Sequence, residues 1–196
     1  MSDLQERKVS KGQARRDALI LAAAELFWHR GFDATSIAHV AAHADVPVGN
    51  VYYYFKTKAD LAAGVAELFV QQTQALVAEV DSEASAPRDA VKLTIQRLKA
   101  TQADRVRYGC PIASACYAFS RSAPEAGKMA AESFSILAGF FAQKLTAAGY
   151  RPSIALTRSR ALLCEWQGGI ALAHALHDSQ LLAETFARME RIALQP

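Results

Sequence analysis

Cysteine is scarce in this chain of 196 residues, and the three present, Cys110, Cys116 and Cys164, follow no metal-ligand spacing. An odd count without such spacing excludes a disulfide framework and points to reduced thiols. Backbone breakers are few as well, with 10 Gly and 6 Pro. No stretch approaches the run of about 18 apolar residues that a membrane span needs, and no apolar run follows the charges of the first residues, so neither a span nor a signal peptide is expected. The expected setting is cytoplasmic, with no membrane partner. Excess charge is also missing, since the formal net charge is only +3. Any affinity for nucleic acid must therefore come from local clusters such as Arg7, Lys8, Lys11, Arg15 and Arg16. Gly-rich phosphate loops and nucleophile elbows are absent. His39 and His43 stand four apart, but Val40 instead of Glu follows His39 and no third ligand accompanies them. No metal, cofactor or catalytic residue is expected, and the chain does not read as an enzyme.

What is present is apolar and helix-forming. Hydrophobic residues make up 52% of the chain, with alanine in nearly every segment, which implies an all-α fold. From about Lys11 to Arg30, the residues Leu19, Ala22, Ala23, Leu26 and Phe27 recur at helical spacing and form one buried stripe. Gly31 is placed to stop that helix. Thr35 or Ser36 can cap a short second helix ending near Ala44, Asp45 marks a turn, and a third helix runs from about Pro47 to Phe55. Thr57 with Asp60 three residues later resembles a capping box and opens a long helix to about Val80. The segment "DSEASAP", Asp81 to Pro87, reads as a linker. Further helices are expected over 87–105, 111–119, 124–148, 153–176 and 179–194, about nine in all.

The run "NVYYYFKTK", Asn50 to Lys58, is unusually aromatic. With Val51 and Phe55 turned inward as partners four apart, about 100° per residue puts Gly49, Asn50, Tyr53 and Lys56 on the opposite side, flanked by Tyr52 and Tyr54. A short helix set by a turn across another short helix suits a major groove. Glycine permits close backbone approach, an amide offers donor and acceptor to base edges, and phenols bond phosphates without adding charge. The competing use of these tyrosines is to cover a hydrophobic core.

Thr35-Ser36-Ile37, Val40-Ala41, Ala44, Val46, Gly49, Val51-Tyr52, Tyr54-Phe55, Lys58 and Leu61, preceded by Glu25-Leu26-Phe27 and Gly31-Phe32, resemble the helix-turn-helix signature of the TetR family of transcriptional regulators. The match spans about the first 65 residues. It departs from the family pattern at Asp45, where a turn glycine is usual, at Pro47, where serine is frequent, and at His39, where an acid is common. The resemblance implies a homodimeric, ligand-responsive regulator, most simply a repressor of a palindromic double-stranded DNA operator. It implies a helix-turn-helix domain over 1–56 and a ligand-binding and dimerisation domain over 57–196. It further implies phosphate contacts from Thr35, Ser36, Tyr52, Tyr54 and Lys58, and base contacts from Val48, Gly49, Asn50 and Tyr53.

In the regulatory half, Tyr108, Cys110, Cys116, Tyr117, Phe134, Phe141 and Trp166, with Gln72 and Gln167 as polar anchors, are candidates to line a pocket for a small apolar or aromatic effector. "WQGGIALAHAL" and the last helix offer Gly168, Gly169, Ala171 and Ala175 for close approach and Leu172, Leu176, Leu182, Phe186 and Met189 as apolar surface, which together read as a four-helix dimer interface. His174 and His177 fall in the same segment. Two alternatives stay open at this stage. One is a thiol sensor using Cys110, set before Pro111 at a helix start with Arg105 and Arg107 close in sequence; the other is a helical small-molecule binding protein that does not bind DNA.

Overall fold

The stripe of Leu19, Ala23, Leu26 and Phe27 is buried on one side of the first helix and begins a fold made of helices throughout the described residues, 11–194, of this computed structural model. The helices are α1 (Lys11–Arg30), α2 (Ile37–His43), α3 (Val48–Tyr54), α4 (Lys58–Glu83), α5 (Pro87–Lys99), α6 (Gln102–Tyr108), α7 (Pro111–Ser122), α8 (Pro124–Ala147), α9 (Pro152–Leu176) and α10 (Ser179–Leu194). The helix expected over 87–105 is two segments. At their junction Ala100 keeps helical dihedrals but Thr101, at φ −99° and ψ 16°, leaves the helical path, and its hydroxyl bonds the Leu98 carbonyl at 3.0 Å, a local bond that competes with helix continuation. The expected linker is shorter than its composition implies, because α4 runs on through Asp81, Ser82 and Glu83.

Local chemistry sets the turns of the N-terminal region. Gly31 adopts φ +88° after α1, a conformation open to glycine without strain. Ser36, not Thr35, caps α2: its hydroxyl accepts from the His39 amide at 3.1 Å. His39 completes the box, its Nδ1 accepting from the Ser36 amide at 3.2 Å. The imidazole thus takes the part that an acid would play at this position. Asp45, where glycine would be usual, takes φ 52° in the left-handed region that Asp tolerates better than most residues, so the turn between α2 and α3 is preserved. Thr57 and Asp60 form the expected capping box of α4.

Two cores follow. The first packs α1, α2 and α3 against the start of α4, through residues such as Leu19, Phe27, Val40, Val51, Phe55, Leu61 and Val65, and continues into α7 and α8 through Phe119 and Ala130. The second joins α5, α8, α9 and α10 through Val91, Ile95, Leu137, Phe141, Leu162, Ile170, Phe186 and Met189. Helix α4 belongs to the first core at Leu61–Phe69 and meets the second at Leu76 and Val77. Helix α6 is a second bridge. At its end Tyr108 stacks on His29 of α1 with ring centroids 4.1 Å apart, and the Trp28 indole donates to the Gly109 carbonyl at 3.2 Å. From the other side the α9 residue His174 bonds the Val106 carbonyl through Nδ1 at 3.1 Å. His174 is therefore an internal tie between α6 and α9.

Candidate DNA-contacting surface and regulatory cavity

Val51 and Phe55 anchor α3 in the first core at 0% and 3% exposure, and this fixes which way the rest of the helix faces. Gly49 and Asn50 are exposed, as are Val48, Tyr52 and Tyr53, the last at 78%. Nothing comes within 4 Å of the position where a Cβ on Gly49 would sit. Tyr54 is half-buried and meets the Tyr53 ring edge-on at 5.0 Å. Five of the six α3 residues singled out thus form one outward face of phenols, an amide and a bare backbone patch, with Tyr54 at its margin. Ser36 is exposed at the start of α2.

One of the sequence expectations changes here. Thr35 is 1% exposed, and its hydroxyl is committed to the carbonyls of Gly31 at 2.8 Å and Leu26 at 3.3 Å. It ties the α1–α2 turn together and has no surface to offer a phosphate, so the phosphate contact expected of it is withdrawn. Lys58 lies half-buried beside the same turn, its ammonium 4.2 Å from the Phe32 ring centroid and 3.4 Å from the Asp33 carbonyl. Burial, opposed by the Asp33 carboxylate, holds its ammonium below the ordinary lysine value. Of the basic cluster, Arg15 is exposed and Arg16 half-buried, while Arg7 and Lys8 lie outside the described residues.

Between the helices that bridge the two cores lies a cavity of about 160 Å³. Phe69, Gln72, Thr73 and Leu76 of α4, Leu98 of α5, Arg105 of α6, Pro111 and Ile112 of α7, Ser133, Phe134 and Leu137 of α8, and Trp166 of α9 form its walls. Phe69, Gln72 and Pro111 also border a larger groove of about 640 Å³ against α1 and α2, lined in part by Trp28, His29, Glu25 and His43. In that groove His43 bonds Glu25 at 2.9 Å, tying α2 to α1.

Of the nine candidate effector residues, the cavity brings together Gln72, Phe134 and Trp166. The others are elsewhere. Tyr117 is 86% exposed, Phe141 is fully buried in the second core, and Tyr108 faces α1. Cys110 is packed in the second core, Cys116 lies against the first, and Gln167 is half-buried on α9 outside the cavity walls. Aromatic content alone could not separate wall from core, because both are apolar. Sequence reasoning missed Arg105 and Ser133. For Ser133 a signal existed: it interrupts the buried stripe Ala126, Ala130, Leu137, Phe141 of α8 with a hydroxyl. Arg105 was read only as a neighbour of Cys110.

Comparison with known proteins decides the lineage. Residues 19–65 match the family model described as bacterial regulatory proteins, tetR family, and residues 86–188 match that of the transcriptional regulator LmrA/YxaF-like, C-terminal domain. The chain belongs to the TetR family of transcriptional regulators. It is 24% identical over 174 residues to an uncharacterized HTH-type transcriptional regulator in the lacX 3′ region of Lactococcus lactis subsp. lactis, which covers 87% of this chain and 89% of that protein. The fold is shared with a TetR transcriptional regulator from Legionella pneumophila, with TM-score 0.79 and 16% identity over 91% of this chain and 96% of that one. It is shared also with SCO4454, a TetR-family regulator from Streptomyces coelicolor, with TM-score 0.77 and 19% identity over 92% and 94% of the two chains. A TetR-family chain is a DNA-binding transcription factor and not an enzyme.

Within this TetR-family architecture, α9 presents an unpartnered face. Cys164, Gly168, Ala171, Leu172, Ala175 and Leu176 are exposed, the two leucines at 55% and 64%. Leu182, Phe186 and Met189, expected at the same interface, are not there: at 0%, 2% and 0% exposure they fill the protomer's own core. Gly169 explains the difference. It faces α10, where a Cβ would collide with the Thr185 side chain, so the two helices pack against each other within one protomer. Among the described residues no helix is long and apolar enough to cross a membrane. The thiols differ in access: Cys110 is 5% exposed, Cys116 is half-buried and Cys164 is exposed. Burial and the neighbouring Cys110 push the Cys116 thiol up from its usual value, only partly offset by a backbone hydrogen bond.

Proposed function

We propose that this TetR-family regulator is a cytoplasmic repressor that binds a palindromic operator as a homodimer and releases it when a small apolar or aromatic effector enters the cavity. In this reading residues 1–56 carry DNA binding and 57–196 carry effector binding and dimerisation. Val48, Gly49, Asn50 and Tyr53 meet base edges in the major groove, while Ser36, Tyr52, Tyr54 and Lys58 meet phosphates. The exposed face of α9, with Gly168, Ala171, Leu172 and Ala175, forms the two-fold interface. Two recognition helices about 34–36 Å apart would then read half-sites one turn of DNA from each other.

The observation that carries the reading is the cavity's position. Its walls include Phe69 and Gln72 of α4 and Arg105 of α6, and both helices reach the DNA-contacting region, α4 from its first turn beside Lys58 and α6 through Tyr108 and Gly109 against α1. An effector releases DNA only by binding more tightly to the conformation whose recognition helices are wrongly spaced. Moving either helix to accommodate a ligand changes that spacing. The test is a gel shift against the chain's own upstream region, paired with sedimentation. A dimer that retards this DNA and not a random duplex is the expected result; a monomer at micromolar concentration would overturn the reading.

A further inference from the structure

Three donors around the small cavity have no partner. Arg105 is 9% exposed, Ser133 1% and Trp166 2%, and in each a buried polar atom, Nη1, Oγ and Nε1 respectively, makes no hydrogen bond. All three residues line the same cavity and reach it from different helices, α6, α8 and α9. Arg105 is held in place on its other side. Its Nε donates to the Thr101 hydroxyl at 2.8 Å, and its guanidinium lies 5.0 Å from the Trp166 ring centroid. No carboxylate among the described residues pairs with it. A buried donor without an acceptor is costly, and a buried charge without a counter-charge more so.

We infer that the cavity is built for a single-ring aryl carboxylate, an inference that rests on the effector-binding reading above. The charge argument selects the anion. Water could occupy the three donors, but it cannot neutralise the guanidinium, and neither can a neutral amide or ester. A carboxylate brings one negative charge and two oxygens with about four acceptor sites, enough for all three donors, and it demands no donor from ligand to protein. A dianion would leave one charge uncompensated among apolar walls. The body of the ligand follows from size and lining. Cavities of about 150 Å³ lined by Leu, Ile and Phe accept benzene. Here the walls of Phe69, Leu76, Leu98, Ile112, Phe134 and Leu137 enclose about 160 Å³. A ring seated there with its carboxylate toward Arg105 presses on α4 and α6 together.

Calorimetry on the full-length protein with benzoate as the probe, and benzamide and methyl benzoate as neutral controls, tests the assignment. Benzoate should bind at least tenfold more tightly than either control. Arg105→Met should weaken benzoate binding about ten- to hundredfold, because a charge-assisted hydrogen bond is lost, and should leave the controls nearly unchanged. Ser133→Ala and Trp166→Phe should each weaken it about two- to tenfold. These two milder variants carry the test if Arg105→Met fails to fold by circular dichroism. Equal affinity for benzoate and benzamide, unchanged benzoate affinity in the folded variants, or no binding of benzoate at millimolar concentration would overturn the inference. Operator affinity is measured in parallel to keep the two readings apart. Benzoate binding that leaves operator affinity untouched supports the carboxylate site and overturns effector control, whereas ligand-free operator binding with no benzoate binding leaves the repressor reading intact.

Discussion

The two halves of this chain hold the residues of their proposed functions on opposite sides of their surfaces. The N-terminal helices expose the residues proposed to meet DNA, with Tyr53 and Asn50 facing solvent, while the regulatory half buries those proposed to meet a ligand, with Arg105, Ser133 and Trp166 at 9% exposure or less. An outward surface follows from the short helix that bears it: once Val51 and Phe55 are buried, the opposite face of α3 is determined. A cavity follows from how far six separate helices stay apart. The first is a local property and the second a long-range one, and variants on either side of this divide should behave differently.

The largest effect is expected where sequence expectation and packing disagree most. Phe141→Ala should cost about 3–5 kcal/mol of stability in thermal or denaturant unfolding, as a core truncation does, with no change in the ligand preference of whatever folded protein remains. Tyr117→Ala, at 86% exposure, should stay within about 0.5 kcal/mol of wild type. A small loss for Phe141→Ala would mean that its ring faces free volume after all.

The two sides of α9 provide the next contrast. Gly169→Val should destabilise the protomer by about 1–3 kcal/mol or more, because any Cβ there meets Thr185. Ala171→Glu, on the exposed side, should leave protomer unfolding unaltered and shift sedimentation from dimer to monomer, since assembly would bury an unpaired charge. Dissociation by neither variant would remove the α9 face from the dimer interface.

On the DNA side, Asn50→Ala should leave the melting temperature unchanged and reduce discrimination between operator and random duplex by about 1–3 kcal/mol in fluorescence anisotropy. Thr35→Val should do the reverse, costing about 1 kcal/mol of stability through the lost bonds to Gly31 and Leu26, with sequence preference kept. Lys58→Ala should weaken all duplexes alike and reduce the salt slope by about one unit. It also has a pH signature. Burial lowers the free ammonium's pKa, and a phosphate against it would raise that value again, so binding through Lys58 is complete at neutral pH and weakens as pH rises through the lowered value. The alanine variant should lose that alkaline decline.

The smallest effect concerns the thiols. Alkylation of the native protein followed by mass spectrometry should modify Cys164 first, then Cys116, whose thiol is held protonated by burial, with Cys110 slowest because it is packed in the core. Rapid reaction at Cys110 would revive a thiol trigger.

These contrasts also mark what was legible in the sequence. The helices, the capping of α4 by Thr57 and Asp60, and the outward face of α3 could be read because each depends on residues within a few positions of one another. The capping role of His39 depends on its Nδ1 reaching back to Ser36, which spacing allows but residue type conceals. The break at Ala100 and Thr101 was not legible, since neither residue is a breaker and the local bond of Thr101 is one option among several. Phe186 and Met189 looked like interface because helical periodicity identifies an apolar face without saying which neighbour covers it. Arg105 was the hardest to place. Its orientation depends on Thr101 one turn before it and on Trp166 some sixty positions away.

The chain contains two tryptophans, and their placement would give the protein a built-in optical record of the proposed switching. Trp28 bonds the Gly109 carbonyl across the junction of α1 with the α6–α7 turn, while Trp166 lines the small cavity with its indole N–H unbonded. Intrinsic emission is therefore the sum of one fluorophore at that junction, the hinge of the proposed switch, and one at the cavity. In Trp166→Phe the remaining signal belongs to Trp28 alone, so a spectral shift on adding operator DNA times the movement of the hinge. In Trp28→Phe the remaining signal times the filling of the cavity. Stopped-flow traces of the two variants, compared on one clock, would show whether the cavity fills before the hinge moves or only after it.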